Sequence, residues 1–423
     1  MRLNLLNISR RTATLGFIVL FPGFLLYHYS IAQGWIPAFL GGLFGAAAAA
    51  LAVAAIALSP WLAGATANGA AMPAAMTCLT IGYVALWATA NYMTGSDLYS
   101  RDAAVETFSA LAGWIALLFV GGCFAFDSRR TKLALRAASV LIILALLHAM
   151  YRFKSPLGPY LTFSGNDADP AVSSYQGIGR SIVAVAIFLA AVASKSGTRV
   201  VILMTGSILL ILVGSRTDFF TLLALTCVTV GITVLRGRSL GLAVGLLVVC
   251  AVAYHFAAPL FLNTRNAEIL DLASSSSWQA RHELEYTALG VIRSNPLLGD
   301  FGYHWRIGGS GFYAHNALSA WTNYGMVGFL LYTGLIVYFT LVSFRRMLSS
   351  AIVDPVWFAA FQLNLAALIQ ALVAAPVFTP LPALGWGVAL NAMRTRQVSR
   401  APESAPLPEL RTVTPSSFPL PTV

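Results

Sequence analysis

Two arginines and one histidine are the residues of this sequence best suited to chemistry by type and position. Arg216 lies in a short polar turn between two apolar blocks. Arg281 lies inside the long polar stretch 259–316, and His315 lies near the end of that stretch. The planar guanidinium of arginine suits phosphate oxygens, and an imidazole with an ordinary pKa of about 6.5 can act as a base near neutral pH. The functional interpretation is therefore an anion site beside a general base.

Each of the three residues also has a structural interpretation. An arginine at a membrane interface can extend to lipid headgroups or pair with a nearby acid, here Asp218. Arg281 has Glu285 four residues later, which is the spacing of an ordinary helical ion pair. A single histidine at the start of a helix is commonly a cap or an interface residue. Position alone leaves both interpretations open for each residue.

The polar stretch 259–316 also holds weaker candidates for supporting roles. Asn316 follows the histidine directly, and His304 and Arg306 lie shortly before it. No histidine pair has the HxxH or HxxxH spacing of a zinc site, and the four cysteines lie in apolar blocks without a CxxC pattern. Asp167 and Asp169 form a DxD pattern, but their Gly-Asn-Asp context beside a proline favours a turn. We therefore expect no metal ion and no cofactor.

The elements that must position these residues are membrane helices. The chain has 423 residues, of which 58% are hydrophobic and only 10% charged, and its mean hydropathy is +0.76. These values lie outside the range of soluble domains. Because about 20 apolar residues span a bilayer core, the blocks predict an all-α polytopic membrane protein. We expect about twelve spans, in chain order 13–32, 36–58, 71–93, 109–126, 133–150, 180–194, 200–214, 219–235, 239–258, 317–342, 356–375 and 379–393.

The distribution of charge predicts the orientation of these spans. A net charge of +11 is compatible with a nucleic-acid partner, but most basic residues fall on one side of the alternating spans. The positive-inside rule places that side, with both termini, in the cytoplasm, so we expect no nucleic-acid partner. The predicted organisation is spans one to nine in 1–258, an external loop with short helices in 259–316, spans ten to twelve in 317–393, and a disordered cytoplasmic tail in 394–423.

The external loop is predicted to contain an amphipathic helix. Ser276 and Gln279 have the spacing of a capping box at its start, and Asn295-Pro296 predicts its end. A period of 3.6 residues puts five side chains on one face: Trp278, Arg281, Glu285, Ala288 and Ile292. A glycine-rich connection then leads to His315.

Residues 277–332 resemble the signature of the O-antigen ligase and polymerase superfamily of bacterial membrane glycosyltransferases. The resemblance rests on Arg281, a short helix, Asn295-Pro-Leu-Leu-Gly299, His315-Asn316 and Tyr324-Gly-Met-Val-Gly328. Gly214-Ser215-Arg216 is similar to a second external arginine of that family. This sequence departs from the family at Glu285, where family members often carry an aromatic residue.

The resemblance implies a GT-C-like fold in the bacterial inner membrane and metal-independent, inverting transfer of a glycan from an undecaprenyl-diphosphate carrier. Arg216 and Arg281 would hold the diphosphate, and His315 would activate the acceptor hydroxyl. The acceptor would be the lipid A core in a ligase, or the growing glycan in an O-antigen or exopolysaccharide polymerase. Two other classes stay open from the sequence, a transporter or flippase for lipid-linked glycans and a non-catalytic scaffold.

Overall fold

Helices are the only regular secondary structure in the described part of the protein. A computed structural model describes residues 2–37, 44–58, 70–95, 97–152, 175–237, 276–349, 353–374 and 376–398, together with 241, 244 and 245. The helices in these ranges are α1 (Arg2–Ile18), a π-helical turn (Val19–Gly23), α2 (Phe24–Ala32), α3 (Phe44–Ala57), α4 (Ala71–Thr94), α5 (Leu98–Cys123), α6 (Arg129–Arg152), α7 (Tyr175–Val192), α8 (Ser196–Val213), α9 (Arg216–Leu235), α10 (Ser276–Ser294), α11 (Tyr303–Ile307), α12 (Leu318–Ser349), α13 (Pro355–Val373) and α14 (Leu381–Val398).

Eight helical segments of the described ranges are long and apolar enough to cross a membrane. They are Leu5–Ile31, which runs through the π turn, and most or all of α4, α5, α6, α8, α9, α12 and α13; α3 and α7 are apolar but shorter. The chain is therefore a polytopic helical membrane protein, as the hydropathy predicts. The predicted number of twelve spans is not reached within the described ranges, and the predicted ninth span, 239–258, lies almost entirely outside them.

The first membrane segment is interrupted by the π-helical turn around Pro22. Proline has no N–H to donate to the α-helical ladder, and a wider π turn accommodates the missing hydrogen bond. The helix continues beyond the turn, so α1 and α2 act as one span.

The helix α5 begins at Leu98, whereas the predicted fourth span begins at residue 109. The helix begins at Leu98 because the carboxylate of Asp97 accepts a hydrogen bond from Ser100 N at 2.8 Å, which caps the first turn. Glu106 therefore lies on a helix that extends beyond the apolar block. This extension carries Glu106 to the region of α11, where it contacts His304.

The centre of the bundle is the contact of α5 with α14. A Cβ atom on Gly121 would lie 2.5 Å from Leu384 O, and one on Gly387 would lie 2.4 Å from Leu118 O. Glycine at both positions lets the two backbones approach closely, as is usual where membrane helices pack. Trp114 of α5 stacks on an aromatic ring of α12, so the same core also anchors α12.

Buried amide side chains connect α13 to α9. Gln370 Nε2 donates to Asp218 Oδ1 at 2.9 Å, and Gln362 Nε2 donates to Thr229 Oγ1 at 2.9 Å. Hydrogen bonds between apolar helices hold their relative register. They fix the first turn of α9, which carries Arg216.

The C-terminal helix α14 runs to Val398, beyond the predicted end at residue 393. The first residues of the predicted tail are therefore helical, and 399–423 lie outside the described ranges, as do 259–275, Asp167 and Asp169. The part of the predicted external loop that the structure describes contains two helices, α10 and α11.

Candidate active site

Four of the six predicted site residues line one cavity of about 380 Å³ between α9, α10, the start of α12 and the end of α13. These four are Arg216, Arg281, His315 and Asn316. The remaining lining residues are Thr217, Phe220, Thr221, Trp278, His282, Glu285, Ile369, Leu372, Val373 and Ala374. Residues from separate parts of the chain thus form one polar corner in a partly apolar cavity.

Arg216 is positioned by a tight turn between α8 and α9. Gly214 ends α8 with φ at +73°, a left-handed conformation that glycine adopts without steric cost. Arg216 then begins α9, so its charge lies at a helix N-terminus, which also favours anions. Asp218, in the same turn, is buried and accepts hydrogen bonds from Ser215 Oγ at 2.6 Å and from Gln370. The turn is therefore rigid.

Arg281 is positioned by the predicted amphipathic face of α10. Ala288 is fully buried and packs with Tyr303 and Ala314, and Ile292 is also buried. One and two turns earlier on this face, Glu285 and Arg281 line the cavity. The helix ends at Ser294, directly before the predicted Asn-Pro stop.

His315 lies in a segment held by hydrogen bonds on both sides. Before it, Ala314 N donates to Tyr303 Oη at 3.2 Å. After it, Asn316 Oδ1 accepts from Leu318 N at 3.0 Å, and Asn316 Nδ2 donates to Glu285 Oε1 at 3.2 Å. Asn316 therefore caps α12 and ties it to α10, which places the histidine beside Arg281.

Glu285 lies at the position where the sequence departs from the family pattern that it resembles. Its role here is to accept the hydrogen bond from Asn316. A phenylalanine or tryptophan there could not accept the hydrogen bond from the Asn316 amide. In this chain the carboxylate of Glu285 joins α10, which carries Arg281, to the segment that carries His315.

The environment keeps His315 neutral at physiological pH. Burial, together with the positive charges of Arg281 and Arg180, lowers the pKa of His315 to about 4. A neutral imidazole is free to accept a proton. An anion bound to the arginines would offset their charge and raise the basicity of His315.

The motif Asn295-Pro-Leu-Leu-Gly299 forms a turn that inserts into a break in α12. Gly325 has φ at +67° inside α12, and a Cβ atom there would lie 2.3 Å from Leu297 O. Gly299 also has a positive φ, and its Cβ would lie 2.4 Å from Thr322 O. No larger residue fits at either glycine without moving backbone atoms.

Two backbone hydrogen bonds complete this contact. Asp300 N donates to Thr322 O at 2.6 Å, and Met326 N donates to Leu297 O at 3.1 Å. The polar groups freed by the break in α12 are thereby satisfied by the turn. Because α10 leads directly into the turn, the contact sets the position of α10 against α12.

His304 and Arg306, predicted as supporting site residues, do not line the cavity. His304 is fully buried, and its Nε2 lies 3.0 Å from Glu106 Oε2. The same carboxyl group accepts hydrogen bonds from Trp305 Nε1 at 3.0 Å and from Ser310 Oγ at 3.1 Å. Arg306 forms an ion pair with Asp300. The contacts of Glu106 hold α11 and the segment after it to α5.

Tyr313 lies between this second group and the cavity. Its ring centroid is 5.7 Å from that of His304 and 5.5 Å from that of His315. Burial raises the pKa of Tyr313, and the Glu106 carboxylate raises it further, so the side chain is a neutral phenol. The ring separates the two histidines.

Arg180 is the main cation of the site that sequence reasoning missed. It lies on α7 and lines a recess of about 30 Å³ next to the cavity, together with Arg216 and Arg281. The signal that drew attention to Arg216, a positive charge at the predicted external end of an apolar block, is also present at Arg180. What the sequence lacks is any sign that α7 and α9 are neighbours.

Across the part of the chain that the structure describes, no group of three or more His, Cys, Asp or Glu side chains is arranged to hold a metal ion. A comparison with protein-family models and with curated proteins finds no match for this chain. The resemblance to the O-antigen ligase and polymerase superfamily therefore rests on the motif residues alone and stays a prediction.

Proposed function

We propose that this protein is a glycosyltransferase that moves a glycan from an undecaprenyl-diphosphate carrier to an acceptor hydroxyl. The observation that supports it most strongly is the convergence of Arg216, Arg281 and His315 on one cavity. These residues come from two helices and a connecting segment that are far apart in the sequence. Their side chains supply what such a transfer requires, cations for a leaving diphosphate and a base for the incoming hydroxyl.

The proposed reaction is a single displacement. His315 takes the proton of the acceptor hydroxyl as its oxygen forms a bond to the anomeric carbon of the glycan. The bond between that carbon and the phosphate oxygen breaks on the opposite face, and the electron pair leaves with undecaprenyl diphosphate. Arg216 and Arg281 stabilise the negative charge that grows on the diphosphate. The anomeric configuration is inverted.

The apolar side of the cavity supports a lipid-linked donor. Leu372 and Val373, at the end of α13, line the cavity and are 66% and 59% exposed. Exposed apolar residues at the end of a membrane helix face lipid. A polyprenyl chain in the bilayer therefore has an apolar route to the polar corner that holds the two arginines.

The rest of the proposal concerns the fold type, the membrane, the orientation and the acceptor. The fold would be of the GT-C type in the bacterial inner membrane, with both termini in the cytoplasm and the site at the periplasmic face. The acceptor would be the lipid A core, as in an O-antigen ligase. The alternative within the class is a polymerase, whose acceptor is the growing glycan and which would use the same donor and the same residues.

The experiment that tests the proposal is complementation of a deletion strain with Arg216→Gln, Arg281→Gln and His315→Gln. Arg293→Gln, which changes an exposed arginine on the same helix as Arg281, is the matched control. We expect the three site variants to reach normal membrane levels, to lose surface polysaccharide and to accumulate lipid-linked glycan on the periplasmic face. Arg293→Gln should behave like the wild type.

Other outcomes would contradict the proposal. Full surface polysaccharide in all three site variants would remove the catalytic assignment and leave a scaffold role. Lipid-linked glycan held at the cytoplasmic face would instead identify a flippase. Analysis of the product then separates the two acceptors, since a ligase modifies the lipid A core and a polymerase lengthens the carrier-linked chain.

A further inference from the structure

The recess behind the cavity is distinguished by its charge. Three guanidinium groups, from Arg180, Arg216 and Arg281, line it, whereas the described lining contains a single carboxylate, that of Asp218. Two neutral donors, Ser215 Oγ and Gln370 Nε2, already bind that carboxylate. Arg180 also interacts electrostatically with Asp218, and with three guanidiniums against one carboxylate the described lining keeps an excess of positive charge.

Close packing of α7 against the α8–α9 turn holds Arg180 at the recess. A Cβ atom on the preceding residue, Gly179, would lie 2.4 Å from Asp218 Oδ2 and 2.6 Å from Ser215 Oγ. Only glycine allows this approach. The backbone of α7 is thereby fixed one residue before the arginine, so Arg180 faces the recess from a rigid helix.

The recess and the neighbouring cavity differ in size, so each fits a different chemical group of one ligand. The recess, at about 30 Å³, has no room for a sugar ring but accepts a small anionic group. The neighbouring cavity, at about 380 Å³, is large enough for sugar units and contains His315. Arg216 and Arg281 line both spaces, so a ligand with an anionic group in the recess places its next group beside the histidine.

We propose that the recess is the phosphate subsite of the donor and that Arg180 is its third phosphate-binding residue. This inference rests on the function proposed above. A phosphate group of the carrier lies among three guanidiniums, and the attached glycan lies in the larger cavity with its anomeric carbon toward His315. Arg180 thus binds the leaving group and sets the direction in which the donor enters.

The same arrangement connects donor binding to the base. Burial, Arg281 and Arg180 together lower the pKa of His315, so its imidazole is a weak base in the field of these arginines. A bound diphosphate offsets the field of the arginines and strengthens the base at the moment when a proton must be accepted. The acceptor is thereby activated more strongly once the donor is in place.

The first test is a binding measurement with undecaprenyl diphosphate, without sugar, on the full-length protein in nanodiscs. Undecaprenol, which lacks the phosphates, serves as the comparison ligand. We expect Arg180→Gln to weaken undecaprenyl diphosphate binding by about 10- to 100-fold, the effect of losing hydrogen bonds to a charged group. Arg293→Gln, which changes an exposed arginine on α10, should bind within about three-fold of the wild type.

A second test uses the wild-type protein and does not depend on any variant folding. Phenylglyoxal modifies arginines, and mass spectrometry of the peptides reports the extent at each position. Undecaprenyl diphosphate should protect Arg180 from modification, and undecaprenol should not. The exposed Arg293 is the internal control and should be modified equally in both samples.

The outcomes separate this inference from the proposed function. Normal binding by Arg180→Gln, or unprotected Arg180, together with weakened binding by Arg216→Gln and Arg281→Gln, overturns the role of Arg180 and keeps the transferase. If none of the three arginine variants weakens binding, and undecaprenyl diphosphate binds no better than undecaprenol, the proposed function fails as well.

Discussion

The cavity around His315 and the buried group around His304 both use residues of the same polar stretch of the chain. They differ in the balance between basic and acidic side chains. In the His304 group each basic residue has an acid, Glu106 for the histidine and Asp300 for Arg306. The described lining of the cavity and its recess contains three arginines and two carboxylates, so the basic groups outnumber the acidic ones there.

The difference shows how a structural cluster and a candidate catalytic site are told apart when both contain histidine and arginine. A cluster whose charges cancel internally holds helices together and gains nothing from a ligand. A site whose described lining has an excess of charge of one sign is suited to attract a ligand of the opposite sign. The sequence proposes both histidines for the site, His315 as the base and His304 in support, and the structure brings only His315 to the cavity.

The largest expected effect separates the two histidines. His315→Gln should reduce the rate of glycan transfer by about 10²- to 10⁴-fold, the usual contribution of a general base, with little change in thermal stability. His304→Gln should instead lower the melting temperature, because it disturbs a fully buried contact with Glu106. Transfer rates and melting curves of the purified proteins measure both. Equal losses of rate in the two variants would remove the distinction.

The next effect concerns the contact that positions α10. Gly325→Ala should destabilise the protein by about 2 kcal/mol or more, because alanine is strained at a positive φ and its methyl group would meet Leu297 O. Activity should fall at least as far as stability. Gly334→Ala, on the same helix with open space around it, is the control and should be neutral. A neutral Gly325→Ala would show that the turn does not position the site.

A smaller effect is expected where α10 and the histidine segment are joined. Glu285→Gln keeps the shape and an acceptor oxygen for Asn316 but removes the charge. We expect a decrease in activity of about three-fold or less. Glu285→Ala, which removes the acceptor, should lose about ten-fold. If both variants lose activity equally, the charge of Glu285 rather than its hydrogen bond is what matters.

The pH dependence provides a finer comparison. The pKa of His315 is about 4. We therefore expect kcat/KM to be constant above about pH 5 and to fall at lower pH, where the imidazole becomes protonated. Removal of the positive charge in Arg180→Gln raises the pKa, so the acid limb should move to higher pH by about one unit or less. The charged and titratable side chains around the histidine come from several elements: Arg180, Arg216, Arg281, Glu285 and Tyr313. An acid limb that moves to lower pH would contradict the geometry.

The smallest effect is expected at Arg306. Its ion pair with Asp300 is partly exposed, with 35% and 44% of the two side chains accessible, and such pairs contribute about 0–1 kcal/mol. Arg306→Gln should therefore retain activity within about two-fold and lose little stability. A large loss of activity would place Arg306 in the site after all.

The sequence predicts much of the helical architecture because lipid imposes a simple rule on composition. The amphipathic face of α10 and its end before Asn295-Pro296 were also predictable, since periodicity and proline act locally. The start of α5 was not. Its polar first turns, from Leu98 onward, extend the helix beyond the apolar block, and hydropathy does not mark such an extension.

The candidate site was predictable only in part. Arg216, Arg281 and His315 stand out because charge near an apolar block needs an explanation, and the structure brings them to one cavity. Arg180 and the contact of Glu285 with Asn316 depend on which helices are neighbours. That information lies in long-range packing, such as the approach at Gly179, and not in local pattern.

The turn at Gly299 has a consequence for the order in which the protein is made. Its backbone partners, Thr322 and Met326, lie on a helix that leaves the ribosome later. Ala317 N, just after the histidine segment, donates to Ala371 O, which is made later still. The residues of α10 therefore cannot make all of these contacts until two further helices, α12 and α13, have been synthesised. The last third of the chain sets the time at which a newly synthesised molecule acquires its site, and a chain that stops before Ala371 never does.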